Sequence, residues 1–421
     1  MKLSLRTTGR EDAAVLIASL FVGGILGLVL GSYLFVIHTQ YIASVRSQAW
    51  HSALDLAEAG AEEAFAHVNP GAGFEPNGAT LVIARAGDHW TGPNNGIYGP
   101  ISRTLGNSSY TVSITADPNP VIYSTGYVTI PSMSATLSRA VQITTASAPL
   151  TRSAVATRGN ITMTGTGSSV VFADSFNSMI PYSQGGTNGD VASLSGPVNI
   201  GVNVIKGDLF LGPTAIGSGQ VRGATSHDLN VDFPEVVVPS RSWGIAPIAN
   251  STNNGVIYRY DFQHSGDYEI TSPGAIYVRP GVSVTVRVDS DNFEASAIHV
   301  AGSGSQSGNL TLFVNGNSFK LSGDAVVENN NPANLTILGT SDTRTIVFTN
   351  HISFTGTFYA PSADLTDYVA SSRSTLVANF SGALVANSVL INGLRSFHFD
   401  ENLLKPTTFS SGYVVTSWRE L

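Results

Sequence analysis

Residues Ala13–Ile37, AAVLIASLFVGGILGLVLGSYLFVI, carry no charge, and His51–Asn69, HSALDLAEAGAEEAFAHVN, follow them with no turn signal between. At a rise of about 1.5 Å per residue the first stretch is about 37 Å long as a helix, enough to cross a hydrocarbon core of about 30 Å with some tilt. A cleaved secretory signal has an apolar core of only about 7–15 residues ending in a small-residue cleavage site. This run is longer and continues into polar helix. From Ile42 the apolar positions are Ile42, Val45, Ala49, Ala53, Leu56, Ala57, Ala64, Phe65 and Val68. Steps of three and four residues are the period of an amphipathic helix. Gly60 weakens it and Pro70-Gly71 ends it. The two stretches together predict one rod of about 55 residues, near 80 Å long.

The flanks predict an orientation. Lys2, Arg6 and Arg10 precede the span, whereas Asp55, Glu58, Glu62 and Glu63 follow it. Basic flanks stay cytoplasmic, so residues 1–12 are expected inside and the bulk of the chain outside the inner membrane, in a single-pass arrangement. Gly23, Gly27 and Gly31 recur at four-residue intervals and share one helix face. Small residues there permit close helix–helix approach in lipid, although glycine is also common in membrane helices generally.

Beyond the rod the composition changes. Charged residues make up only 12% of the 421, and the net charge is −8. The few cations are scattered, which argues against nucleic acid as a partner. There is no cysteine, so disulfides and thiolate metal sites are excluded. Residues 71–149 read as a small β-rich unit, with strands expected at Thr80–Ala84, Ser109–Thr115, Val121–Ile130 and Ala135–Thr145. VIYSTGYVTI and LSRAVQITT alternate apolar and polar residues, as half-buried antiparallel strands do. Residues 150–408 are short apolar strands separated by Gly-Asn, Gly-Asp and Ser-Gly turns, for example GPVNIGVNVIKGDLFLG and STLVANFSGALVANSVLING. That pattern predicts a parallel β-helix, right-handed, with a β-sandwich as the structural rival. Residues 240–291 read as loose and insertion-like, and 409–421 as a C-terminal tail.

These residues resemble a family. An apolar span merging into ALDLAEAGAEEAFAHVN is similar to the start of type IV pilin-like proteins, specifically the PilX-like, pseudopilin-related group. ADSFNSMIPYSQGGTNGDVAS (Ala173–Ser193) and the closing FSGALVANSVLINGLRSFHFDENL, with its His398-Phe399-Asp400 element, resemble the same group's C-terminal part. The resemblance implies a filament spine made by the apolar helix, an αβ head, and processing after a glycine. Gly9 is the candidate processing point, but the fifth residue after it is Ala14, where the family pattern has glutamate.

No catalytic, cofactor-binding or metal residue is assigned. A glycosidase needs two carboxylates across one sugar. Asp174, Asp190, Asp208, Asp289, Asp291, Glu294, Asp364, Asp367 and Asp400 are the acids available, and none sits in a stretch with the cations and rings of a sugar subsite. Asp190 and Asp208 follow glycines and read as turn formers. DSDNFE (Asp289–Glu294) lacks the glycine and spacing of a calcium loop. The histidines are dispersed, with no His-x-x-x-His pair, and His398 reads as a packed or turn-bonded residue.

The expected fold class is therefore mainly β with one long N-terminal α-helix, a small αβ pilin-like head and a parallel β-helix. The expected function is non-enzymatic: a structural or adhesive component of a type IV pilus-like or type II secretion-like machine of the bacterial envelope. Membrane lipid and other pilin-like subunits are the expected partners, with no cofactor. Two alternatives stand beside it. One is an anchored surface protein that binds polysaccharide or an envelope partner without entering a filament. The other is an anchored carbohydrate-active enzyme.

Overall fold

The computed structural model describes residues 9–69, 90–117, 119–130, 135–164, 170–180, 185–231, 233–302, 306–349, 352–368, 377–405 and 410–421. The chain is mainly β with one long helix, α1 (Gly9–Val68). It divides into two compact units. Most of the expected leader and the strand expected at Thr80–Ala84 lie outside the described residues.

In the first unit α1 runs unbroken for 60 residues, through the His38–Ile42 junction where the two halves meet. Four antiparallel strands form a meander: β1 (Ile97–Leu105), β2 (Ser108–Thr115), β3 (Val121–Ile130) and β4 (Ala135–Pro149). The sequence pattern places β2 to β4 but passes over β1. The strand Ser410–Glu420 is the fifth member, beside β4, where a tail is expected. Arg139 pairs with Glu420, and the amide of Leu421 donates to the carbonyl of Ala140 at 2.9 Å.

The helix–sheet seam explains the alanine-rich half of α1. Ala49, Ala53, Ala57, Ala61, Ala64 and Val68 are buried, as are Tyr110, Val112 and Ile114 of β2 and Ile122 and Ser124 of β3. Small side chains let the backbones come close, and glycine takes that to its limit. A Cβ on Gly126 would lie 2.1 Å from the carbonyl oxygen of Ala53, and one on Gly60 would lie 2.4 Å from Ser124 Oγ. Gly60 thus costs helix propensity but makes room for the sheet.

The second unit is a stack of parallel rungs. One ladder pairs, in order, Thr225–Ser226, Leu209–Leu211, Val191–Ser193 and Val155–Thr157. It continues through Leu384–Ala386, Thr357–Ala360 and Leu335–Gly339, then Asn309–Val314, Ser283–Val288, Gly266–Ile270 and Gly244–Ile245. Two further parallel ladders run through the strands around Ile161–Met163 and around Leu394–Asp400. Most of the stretch 240–291, expected to be loose, lies within these ladders, a correction to the sequence reading, while Ile248–Asn253 folds back antiparallel on Val256–Tyr260 as a hairpin. The exposed positions of the stretch include Ile245, Ile248 and Ile257, so no apolar-in, polar-out alternation marks it.

The order of rungs is not the order of the chain. The first rungs, Val155–Thr157 and Ile161–Met163, stack on the last, Leu384–Ala386 and Val389–Ile391. The chain leaves the middle of the stack, runs to one end at Ser226, crosses to the other end at Gly244, and returns rung by rung. Ten rung steps at about 4.8 Å amount to about 48 Å. The crossing of 17 residues from 227 to 243 can span about 56 Å when extended. It lies as a strap along the stack. Phe233 and Val236 are buried against Ala156, Ala192, Phe313, Leu338, Tyr359 and Val385. Tyr359 Oη donates to the carbonyl of Pro234 at 2.8 Å, and Arg158 donates to Glu235 Oε1 at 2.7 Å. Strands under the strap are buried on both sides and so read as continuous apolar runs.

The interior holds a column of rings. Phe354 and Phe380 stack at 4.5 Å, and Phe380 meets Phe397 at 5.2 Å. One fully buried ion pair joins Arg395 Nε to Asp367 Oδ2 at 2.6 Å. Gly-Asp corners recur where the sequence shows them: Asp190 Oδ1 accepts the amide of Asp208 at 2.8 Å, and Asp208 Oδ1 accepts that of Ala224 at 2.7 Å. Each aspartate ties its corner to the next coil.

Candidate functional site

The candidate packing residues Gly23, Gly27 and Gly31 lie on one side of α1, and nothing stands within 4 Å of a Cβ built on any of them. Every residue from Val15 to Ile37 is exposed. This part of α1 is long and apolar enough to cross a membrane, with a mean hydropathy of 2.4. Three hydroxyls on or just beyond this stretch are satisfied within the helix. Ser19 Oγ donates to the carbonyl of Leu16 at 2.8 Å, Ser32 Oγ to Val29 at 2.9 Å, and Thr39 Oγ1 to Phe35 at 2.9 Å. No hydroxyl among these three requires water, which suits a hydrocarbon surround. The described part of α1 begins at Gly9, the candidate processing residue.

Further along α1, Glu63 turns toward the sheet. Its carboxylate accepts from Arg103 Nη2 at 2.7 Å and from the Tyr110 hydroxyl at 2.6 Å. Burial alone would raise this carboxyl, but the bonds from Arg103 and Tyr110 outweigh it and hold the pKa below the ordinary value. Burial and the Glu63 carboxylate push the Tyr110 phenol up to about 12.

In the second unit the stacked rungs bring together residues far apart in the chain. His398 sits directly across the ladder from Asp174, and its Nδ1 lies 2.6 Å from Asp174 Oδ1. Lys206 Nζ donates to Asp174 Oδ2 at 3.3 Å. Burial would raise the Asp174 carboxyl, but the bond and charge of His398, then those of Lys206, hold it below the ordinary value. The glycine-rich stretch at 185–189 covers this carboxylate. A Cβ on Gly185 would lie 1.8 Å from Asp174 Oδ2, so no larger residue fits. Beside it, Ser175 Oγ and Asn188 Nδ2 donate to Glu401 Oε1 at 2.7 and 2.8 Å.

A cavity of about 520 Å³ opens next to His398, lined also by Phe176, Ser178, Met179, Ile180, Asn329, Asn330, Asn379 and Ser381. His398 Nε2 lies 3.4 Å from Asn379 Oδ1. The sequence marks Asp174 and His398 separately, but nothing in it indicates that two residues 224 positions apart touch, and Lys206 carries no signal at all.

Several of the other acids are engaged elsewhere. Asp364 Oδ1 accepts from Ser388 Oγ at 2.6 Å, and Asp400 Oδ1 accepts the amides of Ser178 and Asn402 at 3.0 and 3.1 Å. In the stretch 289–294, Asp289 lies 3.6 Å from Arg287 and Glu294 lies 3.1 Å from Lys320. Among the described residues no three His, Asp or Glu side chains are grouped so as to hold a metal.

Residues 249–405 match a family described as a domain of unknown function, DUF7305. No curated protein matches the chain. Among solved structures it is similar to the crystal structure of competence-associated pilin ComZ from Thermus thermophilus, at 11% identity and a TM-score of 0.22, covering 89% of this chain and 98% of that one. A TM-score this low carries no weight for fold or function.

Proposed function

We propose that this chain is a non-enzymatic, pilin-like structural component of the bacterial envelope, anchored by the apolar half of α1. The observation that carries the reading is the continuity of α1. One uninterrupted helix has an exposed apolar half and an alanine-faced half seated on an antiparallel meander. The exposed half lacks a protein partner among the described residues of its own unit, so lipid or other helices of its kind would cover it. The basic N-terminal flank supports a cytoplasmic N-terminus in the inner membrane and an exported C-terminal unit. The three parallel ladders support reading that unit as a parallel β-helix, right-handed by the general rule for parallel crossovers. Its role is display outside the membrane, in a type IV pilus-like or type II secretion-like assembly.

The test is the mature N-terminus and the fraction in which the protein is found. A chain beginning at Arg10 and recovered with filaments sheared from the cell surface is the expected result. An intact Met1 together with confinement to the membrane fraction overturns the filament role. Gly27→Leu should preserve membrane insertion and impair co-assembly, because leucine keeps the hydrophobicity but blocks close approach.

A further inference from the structure

We infer that the cavity beside His398 binds a neutral, hydroxyl-rich sugar. This goes beyond the anchoring role and does not depend on it, since the cavity lies wholly within the stacked unit.

The chemistry of the lining selects the ligand class. Asn330 and Asn379 present amides that both donate and accept, and Ser381 adds a hydroxyl, whereas the Asn329 amide already donates to Ser307 Oγ and accepts from the Asn331 amide. Such groups match the paired donor and acceptor character of sugar hydroxyls. His398 is the one ionisable side chain among the described lining residues, and its Nδ1 is held by Asp174. The nearby charges are matched to each other: Asp174 faces both His398 and Lys206. Among the described residues no lysine, arginine or carboxylate lines the cavity, so none of them offers an anion or a cation a counter-charge there. The apolar part of the lining is on the rim, where Met179 and Ile180 are 69% and 64% exposed. An apolar rim beside polar amides suits the C–H face of a pyranose ring. The Ser178 hydroxyl is buried with no hydrogen-bond partner among the described residues, which leaves a polar group for a ligand to satisfy. The volume of about 520 Å³ falls in the range of small-ligand sites, about 300–1,000 Å³.

His398 is a positioning and binding group here. Its ring is clamped from behind by Asp174, which fixes its plane and directs Nε2 away from the carboxylate. Phe176, Asn379, Ser381 and His398 stand on strands of the stack, whereas Ser178, Met179, Ile180, Asn329 and Asn330 stand in the connections between strands.

The experiment is calorimetric titration of the full chain, in a detergent without a sugar headgroup, with chitohexaose, cellohexaose and maltohexaose. Saturable binding of at least one is expected, with a Kd between micromolar and millimolar. Asn379→Ala and Met179→Asp should each weaken it at least tenfold. Both residues are exposed and should leave the circular dichroism spectrum unchanged. Absence of binding by all three sugars overturns the inference. So does binding that both variants leave within twofold, or tighter binding of the acidic hexagalacturonate than of any neutral sugar.

Discussion

The rings of Phe172 and Phe397 lie 5.3 Å apart, tilted at 56°, although 225 positions separate them. Phe172 belongs to the first rungs of the stack and Phe397 to the last. Their contact seals a seam where the chain's beginning and end of the second unit meet. The backbone repeats this: Ala173 to Phe176 pairs in parallel with Phe397 to Asp400.

That seam should hold without the strap. A protease site placed between Val237 and Trp243 would cut the crossing after folding. The two pieces are expected to elute together on size exclusion in native buffer, held by the stacked rungs and the Phe172–Phe397 contact. Adding Phe172→Ala should cost about 3–5 kcal/mol and lower the urea concentration at which they separate, although Ser410–Glu420 also pairs with β4 across the cut. Separation of the pieces from the cut wild-type chain would refute the seam.

Gly126→Ala places a methyl group against the backbone of α1, 2.1 Å from the Ala53 carbonyl and 2.7 Å from the Ala57 amide. Overpacking of this kind costs about 1–3 kcal/mol, and the upper end is expected because backbone cannot turn aside. Gly60→Ala should cost less. Its obstacles are side chains, Ser124 and Tyr110, and alanine recovers about 1 kcal/mol of helix propensity. Urea unfolding of the first unit, followed by near-ultraviolet dichroism, should rank the two in that order.

Tyr110 links stability to alkaline pH. Its folded pKa, about 12, is above the unfolded value of 10.0. A raised pKa means the folded state favours the neutral phenol. The stabilisation is complete below pH 10 and is lost as pH rises toward 12. Tyr110→Phe should abolish this component of the alkaline destabilisation. Thermal melts between pH 9 and 12 would show it, and identical pH slopes for the two chains would disprove it.

Asp367→Ala strands the Arg395 guanidinium, which is 1% exposed and otherwise donates to the carbonyl of Ile352 at 3.1 Å. Leaving a buried charge unpaired costs about 3–5 kcal/mol. Replacing both partners, Asp367→Leu with Arg395→Met, should recover most of the loss. Equilibrium unfolding of the three variants checks the ordering, and additive losses in the double variant would exclude the pairing.

Much of this was legible along the chain. The uncharged run at Ala13–Ile37, the alanine stripe from Ala49 to Val68 and the alternation in β3 and β4 are local periodicities, and period alone specifies helix or strand. The Gly-Asp corners at Asp190 and Asp208 could also be read, because the turn chemistry is carried by adjacent residues. β1 was missed because IYGPISRTL interrupts its alternation with Gly99 and Pro100. The stretch from 240 to 291 was misread for a different reason. Ile248–Asn253 and Val256–Tyr260 form a local hairpin with exposed isoleucines, and the other strands find their partners one rung away.

The set of elements can be read along the chain: a rod that is half apolar and half alanine-faced, then a meander, then many short strands. Which strands become neighbours is settled only in three dimensions. Rung order, the lengthwise strap, the return of Ser410–Glu420 to the edge of the first sheet, and the meeting of Asp174, Lys206 and His398 are all pairings between distant residues. Local pattern says which face of a strand seeks burial, but any apolar rung can stack on any other. The choice is made by how the whole stack fills its core, through contacts such as Phe172 on Phe397 that exist only once both ends of the unit are in place.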